Sequence, residues 1–170
     1  MKIDSHRIAR EEVLSELYGA FSKGEPGMGM KDLCSRVEKT VNEVFELLVD
    51  LQRDGFVVVV KNESYKILPR GVHYAERNKL APESMVLRNR AIRAGILDEL
   101  ALFQEASGML QSISVQTLAH GIAKNVNVVL NNVEVLNDLG LVMPDLAGSF
   151  RITASGLLDV QNRKSPPQTH

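Results

Sequence analysis

The chain has 170 residues, with 20 Lys and Arg, 21 Asp and Glu, and a formal net charge of -1. This near-neutral charge excludes a histone-like basic chain and a protein held to nucleic acid by bulk charge alone. The 44% of apolar residues is enough for a packed core and too high for a disordered chain. A single cysteine excludes a disulfide framework and a cysteine-rich zinc site. The sequence has no apolar run of membrane-spanning length and no signal-peptide core. We therefore expect a cytoplasmic protein without a membrane partner.

The chain repeats its own pattern at a spacing of 85 residues. Residues 51–57 (Leu-Gln-Arg-Asp-Gly-Phe-Val) correspond to residues 136–142 (Leu-Asn-Asp-Leu-Gly-Leu-Val), and the spacing drops to 83 upstream of a longer loop. Identities are few, so the ordered series of apolar positions and glycines is the basis of the interpretation. It predicts an internal duplication, with domains at 1–80 and 84–162, a hinge at 81–83 and a flexible tail at 163–170.

Each copy begins with a predicted amphipathic helix, at residues 5–22 and 84–106. A glycine-bearing loop (24–29 and 107–112) and a short helix (31–37 and 116–122) follow. Apolar residues at helical spacing are predicted to form the core of the two first helices: Val13, Leu14, Leu17 and Phe21, and Ile92, Ile96, Leu97, Leu100 and Phe103.

A third helix follows a tight turn in each copy. Thr40 and Glu43 fit a capping box, and Asn125 is the predicted N-cap of the second copy. Gly55 and Gly140 are placed to end these helices in the left-handed conformation. Their predicted core positions are Val41, Val44, Leu48 and Leu51, and Val126, Val129, Val133 and Leu136.

A β-hairpin and a short helix complete each copy. Strands are predicted at 56–60 and 65–68 around a turn at 61–64, and at 141–143 and 150–153 around a turn at 144–149. The closing helices are predicted at 72–78 and 157–161. The expected fold class is therefore α+β, mainly α with small β-hairpins.

This order of elements resembles the winged helix-turn-helix family. Residues 65–71 (Tyr-Lys-Ile-Leu-Pro-Arg-Gly) resemble the end of the wing in many bacterial and archaeal transcription regulators, and residues 150–156 (Phe-Arg-Ile-Thr-Ala-Ser-Gly) are their counterpart. The resemblance covers about residues 5–78 and 84–162. It implies a third helix that enters the major groove and a hairpin that touches phosphates, although some family members bind proteins through these surfaces.

The resemblance places candidate DNA contacts on the third helices and the hairpins, and the charge pattern adds a separate central basic region as a candidate for phosphate binding. Asn127 and Asn131 are the expected base readers of the second copy, because asparagine can bond adenine N6 and N7 together. Acidic Glu43, Glu46 and Asp50 oppose DNA on the outward face of the first copy. The alternative interpretation is that these side chains are only solvated or form ion pairs with carboxylates of the chain. The full candidate set is Asn42, Asn125, Asn127, Asn131, Lys39, Lys124, Lys61, Arg151, Arg88, Arg90 and Arg93.

Other chemistry has little support in the sequence. The four histidines lack a metal-ligand spacing, and the loop at 24–29 lacks the Lys-Ser/Thr ending of a P-loop. Cys34 is interpreted as a small core residue, with redox sensing as the alternative. We therefore expect no cofactor, no metal and no enzymatic activity.

Surplus apolar residues indicate a further interface. Phe45 and Val49, with Leu130 and Val135, widen the apolar stripes beyond the needs of one small core, so we expect contact between the copies or a homodimer. The leading hypothesis is a dimeric DNA-associated transcription regulator that reads DNA more through its second copy. The alternatives are a protein-interaction or scaffold module, and a ligand- or redox-sensing regulator.

Overall fold

A computed structural model describes residues 2–107, 111–145 and 148–165, with side chains from Ser5 onward, and divides into two compact units, residues 1–87 and 88–170. In the first unit a long helix precedes a short strand, two helices, a hairpin and a closing helix. These elements are α1 (Lys2–Lys23), β1 (Met28–Gly29), α2 (Met30–Val37), α3 (Val41–Arg53), β2 (Val57–Val60), β3 (Ser64–Ile67) and α4 (Pro69–Arg77).

The core of the first unit surrounds α1, which packs against α2, α3, α4 and β3. Val13, Leu14 and Leu17 of α1 are buried, as the helical spacing predicted. The strands form an antiparallel sheet in the order β1-β3-β2, in which Met28 pairs with Tyr65 and Val57 with Ile67.

The second unit has the same succession of elements and its own core. A long helix, α5, begins at Glu83, so its first residues belong to the first unit. The strands form an antiparallel sheet in the order β4-β6-β5. The elements are α5 (Glu83–Ser107), β4 (Ile113–Ser114), α6 (Val115–Gly121), α7 (Val126–Asp138), β5 (Val142–Pro144), β6 (Ser149–Ile152) and α8 (Ala154–Lys164).

The two units match each other in register at the spacing of 85 residues. Helices α3 and α7 begin and end at positions 85 apart. The β-sheet pairs Val57–Ile67 and Val142–Ile152 are also 85 apart. The fold is thus mainly helical with two small three-stranded sheets, which confirms the α+β class.

Glycine ends both third helices in the left-handed conformation, as predicted. Gly55 has φ 73° and Gly140 has φ 70°. The backbone N–H of the following residue then donates to a carbonyl in the last helical turn, from Phe56 to Leu51 and from Leu141 to Leu136. This arrangement satisfies carbonyls at the helix end that would otherwise lack a partner.

The structure corrects the predicted burial of Val41 and extends several predicted elements. Val41 was predicted to lie in the core and is 55% exposed, because it is the first residue of α3 and lies beyond the end of the buried stripe that begins at Val44. Helix α4 begins earlier than expected, at Pro69, and α8 reaches Lys164, so the first residues of the predicted tail are helical. Parts of the predicted loop, turn and tail, at 108–110, 146–147 and 166–170, lie outside the described residues.

Candidate functional site

A capping box fixes the start of α3. The Thr40 hydroxyl accepts from the Glu43 amide at 3.4 Å, and the Glu43 carboxylate accepts from the Thr40 amide at 2.9 Å and from its hydroxyl at 2.6 Å. The bond from the Thr40 hydroxyl, followed by that from the Thr40 amide, lowers the pKa of Glu43. The hydrogen bonds between Thr40 and Glu43 therefore fix the first turn of α3, and the neighbouring surface of the helix stays exposed.

An apolar row follows the exposed face of α3 from this cap. Val41, Phe45 and Val49 are 55%, 54% and 40% exposed. They lie at i, i+4 and i+8, so they form one continuous row about 12 Å long, which we call the α3 ridge. Leu47, Leu48 and Leu51 fill the core from the adjoining face of the helix.

Two exposed carboxylates of α3 lie away from the ridge, toward α1. Glu43 and Glu46 are exposed and lie on the side of the helix marked by Asn42. Glu46 has no ion-pair partner among the residues that the structure describes. Glu43 and Glu46 line a groove between α3 and α1 together with Ser5, His6 and Lys39.

Carboxylates accompany the nearby cations of the first unit. Lys39, a predicted DNA contact, pairs with Glu12 at 3.5 Å, and Arg53 pairs with Asp50 on its own helix. Such exposed pairs are individually weak. Their carboxylates nevertheless cancel the positive potential that phosphate binding requires.

Asp50 also faces α1. Its carboxylate lies 2.9 Å from His6 Nε2, and this hydrogen bond is the main reason that the pKa of Asp50 is lowered, with Arg53 contributing less. On the next turn Arg10 of α1 pairs with Asp54. The two contacts tie the end of α3 to α1.

The prediction that Asn131 of α7 is an exposed base reader is wrong. Asn131 is only 5% exposed, Val128 is 9% exposed and Val135 is fully buried. The equivalent residues of α3 are Glu46, Glu43 and Asp50. A carboxylate is costly to bury without a partner, whereas valine and asparagine are not charged, so the two helices differ in which faces they can bury. The loss of charge at these three positions was the sequence signal of this difference.

The start of α7 remains accessible. Asn125 caps the helix through its side-chain oxygen, which accepts from the Asn127 amide at 2.8 Å. This oxygen is therefore already engaged, whereas the exposed side chains of Lys124 and Asn127 are available to a ligand. Asn42, at the position equivalent to Asn127, is exposed at the start of α3.

The remaining predicted DNA contacts do not form one cluster within either unit. Lys61 is exposed in the turn between β2 and β3 of the first unit. Arg151 of β6 is half-buried, and its Nε donates to Met143 Sδ at 2.9 Å. Arg88 and Arg90 are exposed on α5, but Arg93 is only 8% exposed, so its predicted role in a surface basic region is wrong.

The sequence identified two of the three ridge residues. Phe45 and Val49 were singled out as surplus apolar side chains, but Val41 was assigned to the core. The spacing of 41, 45 and 49 is the signal that places Val41 with the other two.

Cys34 is half-buried next to buried Leu33.

Comparisons with known proteins give no assignment: no family model matches the chain, and no curated protein is significantly similar to it. Over residues 2–107, 111–145 and 148–165, every helix falls short of the length and apolarity needed to cross a membrane. The same part of the chain contains no group of three or more His, Cys, Asp or Glu side chains that could hold a metal.

Proposed function

We propose that the chain is a protein-interaction module built from two winged-helix units, with the α3 ridge as its docking surface. The observation that carries this proposal is the exposed row of Val41, Phe45 and Val49 on a helix whose adjoining face forms the core. The shared order of elements supports the winged-helix fold, and the common register at a spacing of 85 supports an internal duplication.

The chemistry of the α3 ridge suits a protein better than DNA. Apolar and aromatic side chains that water can reach gain free energy when a partner covers them. DNA binding depends instead on cations that neutralise phosphates, and carboxylates weaken it. The same helix exposes the carboxylates Glu43 and Glu46, while Lys39 already pairs with Glu12. No catalytic step is part of this proposal.

Capture from native lysate, treated with nuclease, tests the proposed docking surface. The immobilised full chain is compared with Phe45→Glu and with Leu158→Glu, a control on α8 whose side chain is 56% exposed. We expect a partner that survives nuclease, is retained by Leu158→Glu and is lost with Phe45→Glu. Far-UV circular dichroism should match for all three, because neither change touches a buried side chain. Equal capture by the two variants would contradict the proposal.

DNA-associated transcription regulation is a second candidate, favoured by the start of α7. Lys124 and Asn127 are exposed there, and the first turn of α7 contains no acidic residue. Gel-shift titration of genomic fragments over a range of salt concentrations tests it. Binding should weaken as the salt concentration increases, because each phosphate contact releases counterions. Lys124→Ala should bind DNA more weakly than the parent chain. Absence of a shift at low salt would remove this candidate.

A further inference from the structure

The N-terminal part of α1 is held to α3 by polar contacts. His6 Nε2 lies 2.9 Å from the Asp50 carboxylate, and Arg10 pairs with Asp54 one turn further along α3. Both contacts join side chains that water can reach, so each of them is individually weak. Residues 5–10, which we call the α1 strap, include both of these contacts with α3.

The α1 strap contributes little apolar surface to the core. Its apolar side chains are those of Ile8, which is 50% exposed, and Ala9, which is small and half-buried. The buried stripe of α1 begins only at Val13 and continues with Leu14 and Leu17. Because burial of one large apolar side chain contributes about 1.5–3 kcal/mol, the strap is attached much less firmly than the rest of the helix.

Two open grooves flank the strap where it crosses α3. One has a volume of about 470 Å³ and is lined by Ala9 and Leu47, and the other has a volume of about 260 Å³ and is lined by Arg7 and Leu51. Leu47 and Leu51 are themselves buried on successive turns of α3. The strap therefore covers two core leucines without packing tightly against them, and a low density of buried contacts favours local opening.

The corresponding part of α5 is anchored differently. At the spacing of 83 residues Ala9 corresponds to Ile92, which is buried in the core of the second unit. An isoleucine side chain thus holds α5 at the position where α1 has only a methyl group. The weak attachment of the strap is a property of the first unit.

We infer that the α1 strap opens from α3 as a local unit while the rest of the first unit stays folded, and that its opening uncovers Leu47 and Leu51. The contacts of His6 and Arg10 hold the closed state, so the strap controls access to an apolar surface of α3. Salt weakens contacts between exposed charges, and opening becomes easier as the ionic strength rises. The α3 ridge takes no part in this contact, so the inference is independent of the proposed function.

Amide hydrogen exchange of the full chain, followed by NMR, tests the strap. The amides of residues 8–12 donate to carbonyl groups of residues 4–8 in the helix, so they report its opening. We expect them to exchange at least about ten-fold faster than the amides of residues 16–20, at a rate that low urea concentrations do not change. A higher salt concentration should accelerate exchange at residues 8–12 and leave residues 16–20 unchanged.

Alanine variants separate opening of the strap from ordinary fraying of a helix end. Alanine is the best helix former, so fraying alone predicts slower exchange in His6→Ala and in Arg10→Ala. We expect each variant instead to accelerate exchange at residues 8–12 about five-fold, because it removes a contact with α3. Arg7→Ala is the matched control and should cause no acceleration, because its side chain is 65% exposed and pairs with Glu11 of α1 itself.

A variant with a larger side chain should close the strap. Leucine in Ala9→Leu can pack against Leu47 in the groove between the helices, and it retains a high helix propensity. We expect it to slow exchange at residues 8–12 about ten-fold, because it adds buried apolar surface to the closed state alone. Near-UV circular dichroism of the tyrosines establishes that the first unit of each variant is folded as in the parent chain.

Three results would overturn the inference. Unchanged or slower exchange in both His6→Ala and Arg10→Ala would show that the strap is only a fraying helix end. Equal acceleration at residues 8–12 and 16–20 would show that the strap opens only when the whole unit unfolds. Unchanged exchange in Ala9→Leu would show that the strap does not close over Leu47.

Discussion

Two glycines lie where a closing helix approaches backbone too closely for any side chain. A Cβ atom at Gly71 would lie 2.5 Å from the Phe56 carbonyl oxygen, and one at Gly156 would lie 2.2 Å from the Leu141 carbonyl oxygen. The same oxygens accept hydrogen bonds from the Leu68 and Thr153 amides, so they cannot move away freely. The requirement for glycine is thus steric at both positions.

Replacement of either glycine by alanine should destabilise the unit that contains it. We expect Gly71→Ala and Gly156→Ala each to lower the free energy of unfolding by about 1–3 kcal/mol, because the added methyl group forces backbone to shift. Urea denaturation followed by far-UV circular dichroism measures the change. Gly19→Ala is the matched control on α1, where a Cβ meets nothing within 4 Å, and it should stabilise by about 0.5–1 kcal/mol. Equal effects at all three positions would contradict this explanation.

Asn132 is a buried amide that is only partly hydrogen-bonded. Its Nδ2 donates to the Val128 carbonyl at 2.9 Å, but its Oδ1 has no partner within the described residues. The equivalent residue in the first unit is Leu47, which is also buried. Because a buried acceptor without a partner is unfavourable, we expect Asn132→Leu to raise the free energy of unfolding by about 1 kcal/mol. Asn132→Asp should lower the free energy of unfolding. Denaturant titration measures both variants. If Asn132→Leu were the less stable of the two, the amide would have a stabilising role.

At the scale of a single element, the capping box of α3 couples stability to pH. Its hydrogen bonds lower the pKa of Glu43, so the folded state binds a proton there less readily than the unfolded state. The stabilisation is therefore complete well above the ordinary pKa of 4.5 and is lost as the pH falls through the lowered value. The Asp50 carboxylate, whose pKa His6 lowers, acts in the same direction.

Removal of the cap should reveal this dependence. We expect Thr40→Ala to lower the free energy of unfolding by about 1 kcal/mol at pH 7, as loss of an N-cap hydroxyl usually does, and Thr40→Ser to retain most of the stability. The difference between Thr40→Ala and the parent should shrink as the pH falls below 4.5. Denaturation curves at several pH values measure it, and a difference that grew on acidification would be the wrong sign for this mechanism.

Local signals predicted the elements well, and the exposed faces less well. The cap at Thr40, the cap at Asn125 and the left-handed glycines depend on residues only a few positions apart, so the sequence contains them in full. Burial depends on what packs against a helix, and this is why Asn131 was expected outside and lies inside. Val41 was misassigned for another reason: its spacing to Val44 and Leu48 matches the buried stripe, but it is the first residue of the helix and lies beyond the end of the core.

At the scale of the whole molecule, charge is balanced within each unit. Residues 1–87 contain 13 basic and 14 acidic side chains, and residues 88–170 contain 7 of each. Neither unit therefore has the surplus of cations that binds DNA through bulk charge. Recognition must depend on local surfaces, of which the α3 ridge is one.

The tyrosines allow the two units to be followed separately. All three, Tyr18, Tyr65 and Tyr74, belong to the first unit, and the chain has no tryptophan. Tyr18 is fully buried and donates to Glu76 at 2.9 Å, and Tyr65 is buried in the sheet, so tyrosine fluorescence and near-UV circular dichroism respond to the core of that unit. Far-UV circular dichroism responds to the helices of both.

Because each unit has a core of its own, we expect them to unfold as separate cooperative steps. Gly71→Ala should shift the tyrosine transition to lower urea concentration, whereas Gly156→Ala should shift part of the far-UV transition and leave the tyrosine transition in place. Both signals are recorded on the same samples, and the parent chain is the reference. A tyrosine transition that moved equally in the two variants would show that the units unfold together, so that packing within one unit depends on the folded state of the other.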